Sequence, residues 1–383
     1  MKIGQFSDSF YPIVDGVGRV VFQYATQLGQ RGHESYVIAP TQDTGYRGNF
    51  PFEIVDYDGM PVPNTPQYRN GMPTLDTHYS HRIEKIPLEI VHAHSPFIAG
   101  QEALRIASKL KIPVVGTFHS KFYDDFYKLS NSEIIASVGV KYVVNFFNHC
   151  NEVWAVNQSS ANVLSDYGYH GEIVVMPNGA IVVEPDPAWE ARSREHFHLS
   201  SDPILFFCGQ INFKKNINTT LAACALLKNQ GAAFQLVLTG QGPDEKAILK
   251  MVEELGLSER TVYTGHIADT ALLNGLYLAA SLFVFPSVYD NAPMVVREAA
   301  ALGTPSVVVR GSSAAESIHP GENGLVCENS PEDLAAVIAD ALAAPEKLAA
   351  MGEDARKTIC IPWSQIIDQV VDRYQNLIDT HHK

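Results

Sequence analysis

The chain has 383 residues, 46% of them hydrophobic and 18% charged, with a formal net charge of −14. Such a length exceeds what one growing core sustains and predicts two domains of ordinary size, while the apolar content argues against disorder. The negative charge argues against a broad electrostatic grip on nucleic acid or on an anionic membrane, and leaves room only for local basic patches.

The N-terminus, MKIGQFSD, opens as a strand with no basic leader, and no run reaches the roughly 18 apolar residues of a membrane span. A cytoplasmic chain is expected. The segment DGVGRVVFQYATQLGQRGHE follows, with Asp15, Gly16, Gly18 and Arg19. Its functional reading is a glycine loop opening a helix, whose first N–H groups could meet a phosphate or a sugar. The alternative is a plain loop and helix start. A nicotinamide fingerprint is a poor match, because residues 7–15 separate the strand from the glycines and the third glycine is missing.

Short β-rich runs then alternate with helix-length amphipathic stretches. IVHAH (90–94) precedes the helical AGQEALRIASKLK and the strand-like PVVGTFH, and EVWAV (152–156) leads on to EIVVMPNG. His92, His94 and His119 fall at the carboxyl ends of these strands, the edge where open α/β sheets bind ligands. His92 reads best as a hydrogen-bonded core residue, whereas His119 stands equally as core or as substrate contact. Over 180–203 the alternation lapses into a linker-like stretch, VVEPDPAWEARSREHFHLSSDP.

A second series starts at PILFFCG, with FQLVLTG, TVYTG, LFVFPS, PSVVV and GLVCE as further strands. The β-α-β-α order calls for parallel sheets covered on both faces, so two doubly wound Rossmann-like halves are predicted, without a close internal repeat. GQINFKKN (209–216) supplies Gly209, Gln210, Lys214 and Lys215 before a helical run. A glycine turn, two lysines and a helix start make a diphosphate clamp, against the plain reading of solvated lysines. TGQGPDE repeats the strand–glycine–helix pattern, with Asp244 and Glu245 suited to the first helical turn. Taken alone, it is a structural loop.

In FPSVYDNAPMVVREAAALGTP, Asn291 and Pro293 suit the cap and first turn of a helix. Asp290 then precedes that helix and Glu298 lies in its second turn, with Ala292, Met294 and Val295 at the donor-rich start. Carboxylates accept from hydroxyls while amides meet anionic oxygen, so the group suits a polyhydroxyl ligand carrying phosphate. An acid/base pair would need both carboxyls to flank one bond, which spacing alone does not settle. The terminal WSQIIDQVVDRYQNLIDTHHK is amphipathic, with Ile366, Val370, Tyr374 and Leu377 at helical spacing. The five cysteines are scattered singly, as free thiols in a reducing compartment.

Together these motifs resemble the GT-B glycosyltransferases of family 4, retaining enzymes that use nucleotide sugars. FSDSFYPIVDGVGRVV, HAHSPF, TFHS, VMPNG, FFCGQINFKKN, LTGQGP, VYTGHI, LFVFPS, EAAALGTPSVV and ENGLV carry the likeness in order along nearly the whole chain. The N-terminal half is most similar to members that glycosylate diacylglycerol or related lipids.

The resemblance implies two Rossmann-like domains facing a central cleft. Residues 1–185 would bind the acceptor, 200–363 the nucleotide sugar, and the helix 364–383 would pack back on the first domain. It implies transfer of a hexose from UDP-glucose or a similar donor, or from GDP-mannose, to an acceptor hydroxyl on a lipid or small glycan. No nucleic-acid partner, essential metal or other cofactor is expected.

Residue by residue, Gly16 and Gly18 would face the donor phosphates and His119 the reacting sugar. Lys215 would hold the diphosphate, Glu298 the ribose and Asp290 a sugar hydroxyl, with the amides of 292–295 nearby. The chain departs from the family pattern in four places. Gln210 replaces an arginine, Lys214 a glutamate and Asp290 a glutamate, and Ala180–Ile181 follow PNG where an aspartate is common. Losing the arginine removes a bidentate cation, for which Lys214 can return the charge but not the fork. A sugar-nucleotide epimerase, a phosphorylase or a degenerate nucleotide-sugar-binding protein are the alternatives on the same fold. Peripheral contact with the inner face of a membrane would go with a lipid acceptor, although residues 1–185 carry 13 Lys+Arg against 18 Asp+Glu, a balance of −5.

Overall fold

The computed structural model describes residues 1–12, 15–46, 48–62 and 65–381, with backbone alone at 65–68. Ile13 and Val14 of the glycine-loop motif and the last two residues of the chain lie outside the described residues. The chain divides into two compact units, Met1–Asn178 with Trp363–Lys383, and Gly179–Pro362.

The first unit holds a seven-stranded sheet built from β1 (Lys2–Phe6), β2 (Glu34–Ala39), β3 (Glu53–Asp56), β6 (Ile90–Ala93), β7 (Val114–Phe118), β8 (Glu152–Ala155) and β9 (Ile173–Val175). A small antiparallel hairpin, β4 (Gly59–Val62) and β5 (Thr65–Gly71), sits apart from it. The sheet order is β3-β2-β1-β6-β7-β8-β9, and every pairing within it is parallel. β6 and β7 are buried at every position, as strands must be when helices cover both faces. Their continuous apolar runs follow from that constraint.

The second unit repeats the plan with β10 (Ile204–Cys208), β11 (Gln235–Thr239), β12 (Thr261–Gly265), β13 (Leu282–Phe285), β14 (Ser306–Val309) and β15 (Leu325–Cys327). Its order is β12-β11-β10-β13-β14-β15, again all parallel. Phe206, Phe207, Leu238, Phe283 and Phe285 fill its core. In each sheet the winding reverses beside the first strand of its series, between β1 and β6 and between β10 and β13. That reversal opens a crevice at the carboxyl ends of the strands, the standard ligand position in open α/β sheets. The strands expected from sequence are all present, and the fold is a pair of Rossmann-like α/β units.

The stretch that reads as a linker contains a helix, Pro187–His196, with Pro187 at its start and the Asp186 carboxylate capping the Ala188 N–H at 2.9 Å. This helix packs on the helix Thr270–Ala279. Periodicity misses it because its only buried residue is Ser193, whose hydroxyl donates to the Leu272 carbonyl at 2.8 Å. Close approach replaces apolar burial there: a Cβ on Gly275 would lie 2.1 Å from the Trp189 carbonyl oxygen.

The C-terminal helix, Trp363–His381, belongs to the first unit. Ile366, Ile367, Val370 and Tyr374 are buried, and the Tyr374 ring stacks on Trp154 with centroids 5.6 Å apart. Ion pairs pin it at two levels, Arg31 to Asp368 at 2.7 Å and Arg373 to Glu152 at 2.5 Å. All five cysteines are free, and burial pushes the Cys224 thiol up to about 12.

Gly275→Ala gains up to about 1 kcal/mol of helix propensity, yet it drives a methyl into a backbone carbonyl, a clash that costs roughly 1–3 kcal/mol. A net loss of stability is expected in chemical denaturation. Unchanged stability would mean that the two helices are free to separate.

Candidate functional site

At the reversal in the first unit, β1 and β6 deliver Asp8, His94 and Ser95, and β7 delivers His119. Asp8 serves the scaffold. Its carboxylate accepts from the Ala99 N–H at 2.8 Å and from the Ser95 hydroxyl, which fastens the start of the helix Ile98–Leu110 to the end of β1.

The glycine loop is organised in the same way. Asp15 caps the helix Gly16–Gln30, its Oδ1 accepting from the Gly18 N–H at 2.7 Å while Ser9 donates to its other oxygen. The N–H of Gly18, expected to meet a phosphate, is therefore engaged by Asp15. Gly16 stays open, since a Cβ there would meet nothing within 4 Å. Burial pushes the Asp15 carboxyl up, with its hydrogen bonds opposing.

Three imidazoles stand in a row behind this edge. His92 and His94 have ring centroids 4.0 Å apart, and His94 and His119 stack at 5.4 Å. His92 is fully buried between the Tyr374 hydroxyl and Thr117 Oγ1, which confirms it as a core residue. His94 is buried between Gln5 Oε1 at 2.7 Å and His119 Nε2 at 3.2 Å. His119, half-buried just after β7, is the least buried of the three. Desolvation holds the His119 imidazole down at about 4 and, with neighbouring histidines adding to it, keeps His92 and His94 well below their ordinary value. All three are neutral at physiological pH.

In the second unit, Gly209 and the loop 210–216 follow β10. The Asn212 side chain accepts from the Lys215 N–H at 3.1 Å, and Asp244 accepts from the Phe213 N–H at 2.9 Å. Asp244, expected in a first helical turn, thus holds the lysine loop from the neighbouring β11 loop. The two loops touch backbone to backbone. A Cβ on Gly240 would fall 1.8 Å from the Gly209 carbonyl oxygen, and Gly240 has φ +130°, a conformation that L side chains rarely adopt.

Across the reversal, the loop after β13 meets the lysines. Lys215 forms an ion pair with Asp290, both side chains being largely shielded from solvent, and Ser287 donates to the other Asp290 oxygen. Lys214 lies over the Tyr289 ring, its Nζ 4.6 Å from the centroid, and Asn216 donates to the Pro286 carbonyl at 3.1 Å. Cation, aromatic and amide contacts bind these loops side by side. Gln210 is exposed, and its side-chain oxygen accepts from Asn212 Nδ2 at 3.1 Å.

The helix after this loop is Met294–Ala301, with Pro293 at the cap position and no side-chain cap bond. Asn291 therefore does not cap it and Pro293 does not enter its first turn, contrary to the sequence reading. The pre-proline restriction and the Ser287-centred turn hold 290–292 outside the helix. Its first turn, with Met294 and Val295, carries N–H groups that have no acceptor within the helix itself. Glu298 sits in the second turn and takes the Tyr277 hydroxyl at 3.2 Å. Tyr277 was invisible as a site residue, because in sequence it reads as one more apolar position on the helix Thr270–Ala279.

The chain matches the family model for Glycosyltransferase Family 4 over residues 14–182 and that for Glycosyl transferases group 1 over residues 189–358. It is 26% identical to the alpha-monoglucosyldiacylglycerol synthase of Streptococcus pneumoniae over 363 residues, covering 90% of this chain and 79% of that protein. It is 25% identical to the GDP-mannose-dependent alpha-mannosyltransferase of Corynebacterium glutamicum, over 86% of this chain and 77% of the relative. Among solved structures, sucrose-phosphate synthase from Thermosynechococcus elongatus aligns with TM-score 0.82 at 20% identity, covering 99% of both chains. HepE from Anabaena in complex with UDP-glucose aligns with TM-score 0.79 at 17% identity, covering 98% of this chain and all of that one. The two family models lie end to end over nearly the whole chain, one on each compact unit. The chain belongs to the glycosyltransferases of GT-B fold built from these two domains, and by class it is a hexosyltransferase.

The neutral histidines have a consequence for stability. Unfolded, each takes up a proton near pH 6.5; folded, His119 does so only near 4. Between these values the unfolded state binds more protons, so stability is complete above pH 6.5 and declines as pH falls through the window. The raised Asp8 and Asp15 carboxyls act in the opposite sense near the acid end. Thermal unfolding of wild type should therefore fall more steeply from pH 7 to 5 than that of His119→Gln. Parallel curves would contradict a neutral His119.

Proposed function

We propose that the chain transfers a hexose, with retention of anomeric configuration, from a UDP-sugar to a hydroxyl of a diacylglycerol-type lipid. In this reading the second unit holds the donor. Lys215 meets the diphosphate, Lys214 adds a second positive charge, Glu298 accepts from the ribose and Asp290 from a sugar hydroxyl. The first-turn amides of the helix Met294–Ala301 and the backbone around Gly209 supply fixed dipoles. Stabilisation of the leaving diphosphate by such preorganised groups is the main catalytic effect available. His119 serves the transferred sugar as a neutral hydrogen-bonding group, and Gly16, open to a Cβ, faces the donor phosphates.

The observation that carries the lipid acceptor is an apolar face on the first unit. Two consecutive helices, Phe122–Ser130 and Glu133–Phe147, follow His119 directly. The second is apolar almost all round: Val140, Val143 and Phe147 enter the core, while Ile134, Ile135 and Val138 are 78%, 55% and 61% exposed on the other side. Tyr142 extends this face, Leu129, 84% exposed, lies on the preceding helix, and Lys128 and Lys141 are exposed on the same two helices along with Asp124 and Glu133. A contiguous exposed patch of this kind marks an interaction surface, and apolar residues bordered by lysine suit the headgroup boundary of a bilayer. No helix among the described residues is long and apolar enough to cross a membrane, so contact would be peripheral. The pneumococcal relative, whose name gives it a glucosylated diacylglycerol product, agrees with this acceptor.

Two experiments test the reading. A panel of UDP-, GDP- and ADP-sugars with diacylglycerol vesicles should show transfer from a UDP-hexose. Lys215→Ala should lower that transfer by about 10²–10³, the scale of losing one charge-stabilising group, with the fold intact; near-normal turnover would remove Lys215 from the site. Separately, Ile135→Asp with Val138→Asp should abolish sedimentation with anionic vesicles while leaving hydrolysis of the free donor unaltered. Sedimentation equal to wild type would dismiss the hairpin as the lipid contact.

A further inference from the structure

The polar groups behind His119 form one continuous chain that passes through the C-terminal helix. His119 Nε2 meets His94 Nδ1 at 3.2 Å, and His94 Nε2 meets Gln5 Oε1 at 2.7 Å. Gln5 Nε2 donates to the Tyr374 hydroxyl at 3.5 Å, which meets His92 Nδ1, and His92 Nε2 meets Thr117 Oγ1 at 2.7 Å. Gln5, His92 and Tyr374 are fully buried and His94 nearly so, so each group must find its partner inside the chain.

The donors sort themselves once one group is fixed. Gln5 turns its carbonyl to His94, so His94 Nε2 carries the proton and its Nδ1 accepts. His119 must then donate from Nε2. At the other end the Gln5 amide donates to Tyr374, the tyrosine hydroxyl passes its hydrogen to His92 Nδ1, and His92 donates from Nε2 to Thr117. The chain runs in one direction from His119 to Thr117, and all three neutral imidazoles are Nε2–H tautomers. Turning the Gln5 amide over would reverse the direction of the links from end to end. Direction is thus a property of the whole chain, as in other buried networks whose members polarise one another.

We propose that Tyr374, acting through Gln5 and His94, is a positioning residue that fixes the tautomer and ring orientation of His119. It rests on the role given to His119 above. The C-terminal helix would then contribute to the reaction as well as to docking. Trp154, stacked on the Tyr374 ring, and the Arg373–Glu152 ion pair hold that hydroxyl in place.

Selective ¹⁵N labelling of histidine in the full chain tests the proposal, with signals assigned by single His→Asn variants. Wild type should show His92, His94 and His119 as single Nε2–H tautomers. Tyr374→Phe keeps the ring and removes the hydroxyl; it should leave His119 a mixture of tautomers and lower kcat for transfer about tenfold, with KM for the UDP-sugar within about twofold. Val370→Ala, one turn earlier on the same helix and fully buried, is the control. It should lower Tm while leaving the tautomers and kcat as in wild type. A single Nε2–H signal for His119 in folded Tyr374→Phe overturns the chain, and a tautomer mixture with unchanged kcat overturns the positioning role. A Val370→Ala variant that reproduces both effects reduces Tyr374 to a docking residue. If wild type transfers from no sugar nucleotide, the functional reading fails, and the tautomer spectra still decide whether the chain exists.

Discussion

A parallel sheet hides both of its faces under helices, and this restriction governs where chemistry can occur in the chain. The central strands of both units are buried at nearly every position, so polar groups of use to a ligand can emerge only where strands end. Reversal of winding opens that edge at one place in each unit. There the first unit presents His119 over two buried histidines, and the second presents Lys215 and Asp290. Within each unit, residues far apart in sequence meet at that edge because sheet order, not chain order, makes them neighbours.

Support for these groups comes mostly from backbone and from small polar side chains. The loop carrying Lys215 is held by Asn212 within itself and by Asp244 from the next loop, and its glycine neighbour leaves no space for a Cβ at Gly240. Such bracing matters because preorganised dipoles and charges stabilise a developing charge without reorganising at the moment of reaction. Lys214 shows the same economy: its ammonium rests on the Tyr289 face, which limits a long flexible side chain.

Much of this was legible in the sequence, for identifiable reasons. Buried parallel strands are continuous apolar runs, so ILFFC and LFVF could be read directly, and strand ends then located His119, Lys215 and Asp290. Pairings were not legible. Nothing in a one-dimensional pattern joins Lys215 to Asp290, 75 positions away, because the sheet supplies that contact. Tyrosines escaped for a different reason: Tyr277 and Tyr374 fit apolar stripes at helical spacing, and periodicity counts the ring without seeing where the hydroxyl goes. The helix Pro187–His196 escaped because it packs through Ser193 and Gly275, leaving no hydrophobic stripe to find.

The two carboxylates of the second unit illustrate how environment divides similar groups. Asp290 and Glu298 stand eight positions apart and, on spacing alone, could flank one bond as acid and base. Their partners separate them. Asp290 lies before the helix, paired with a cation and fixed by the Ser287 hydroxyl, while Glu298 lies one turn inside it and takes the hydrogen of Tyr277. An acid/base pair must flank one bond, yet these two carboxylates are held by different partners on different supports. Each group is oriented by a hydroxyl donor on its own side. What both retain is capacity to accept further hydrogen bonds, since an ionised carboxylate offers about four lone-pair positions. Two acceptors on separate supports, beside the amide donors of a helix start, suit the grip on hydroxyls of one ligand proposed for this unit.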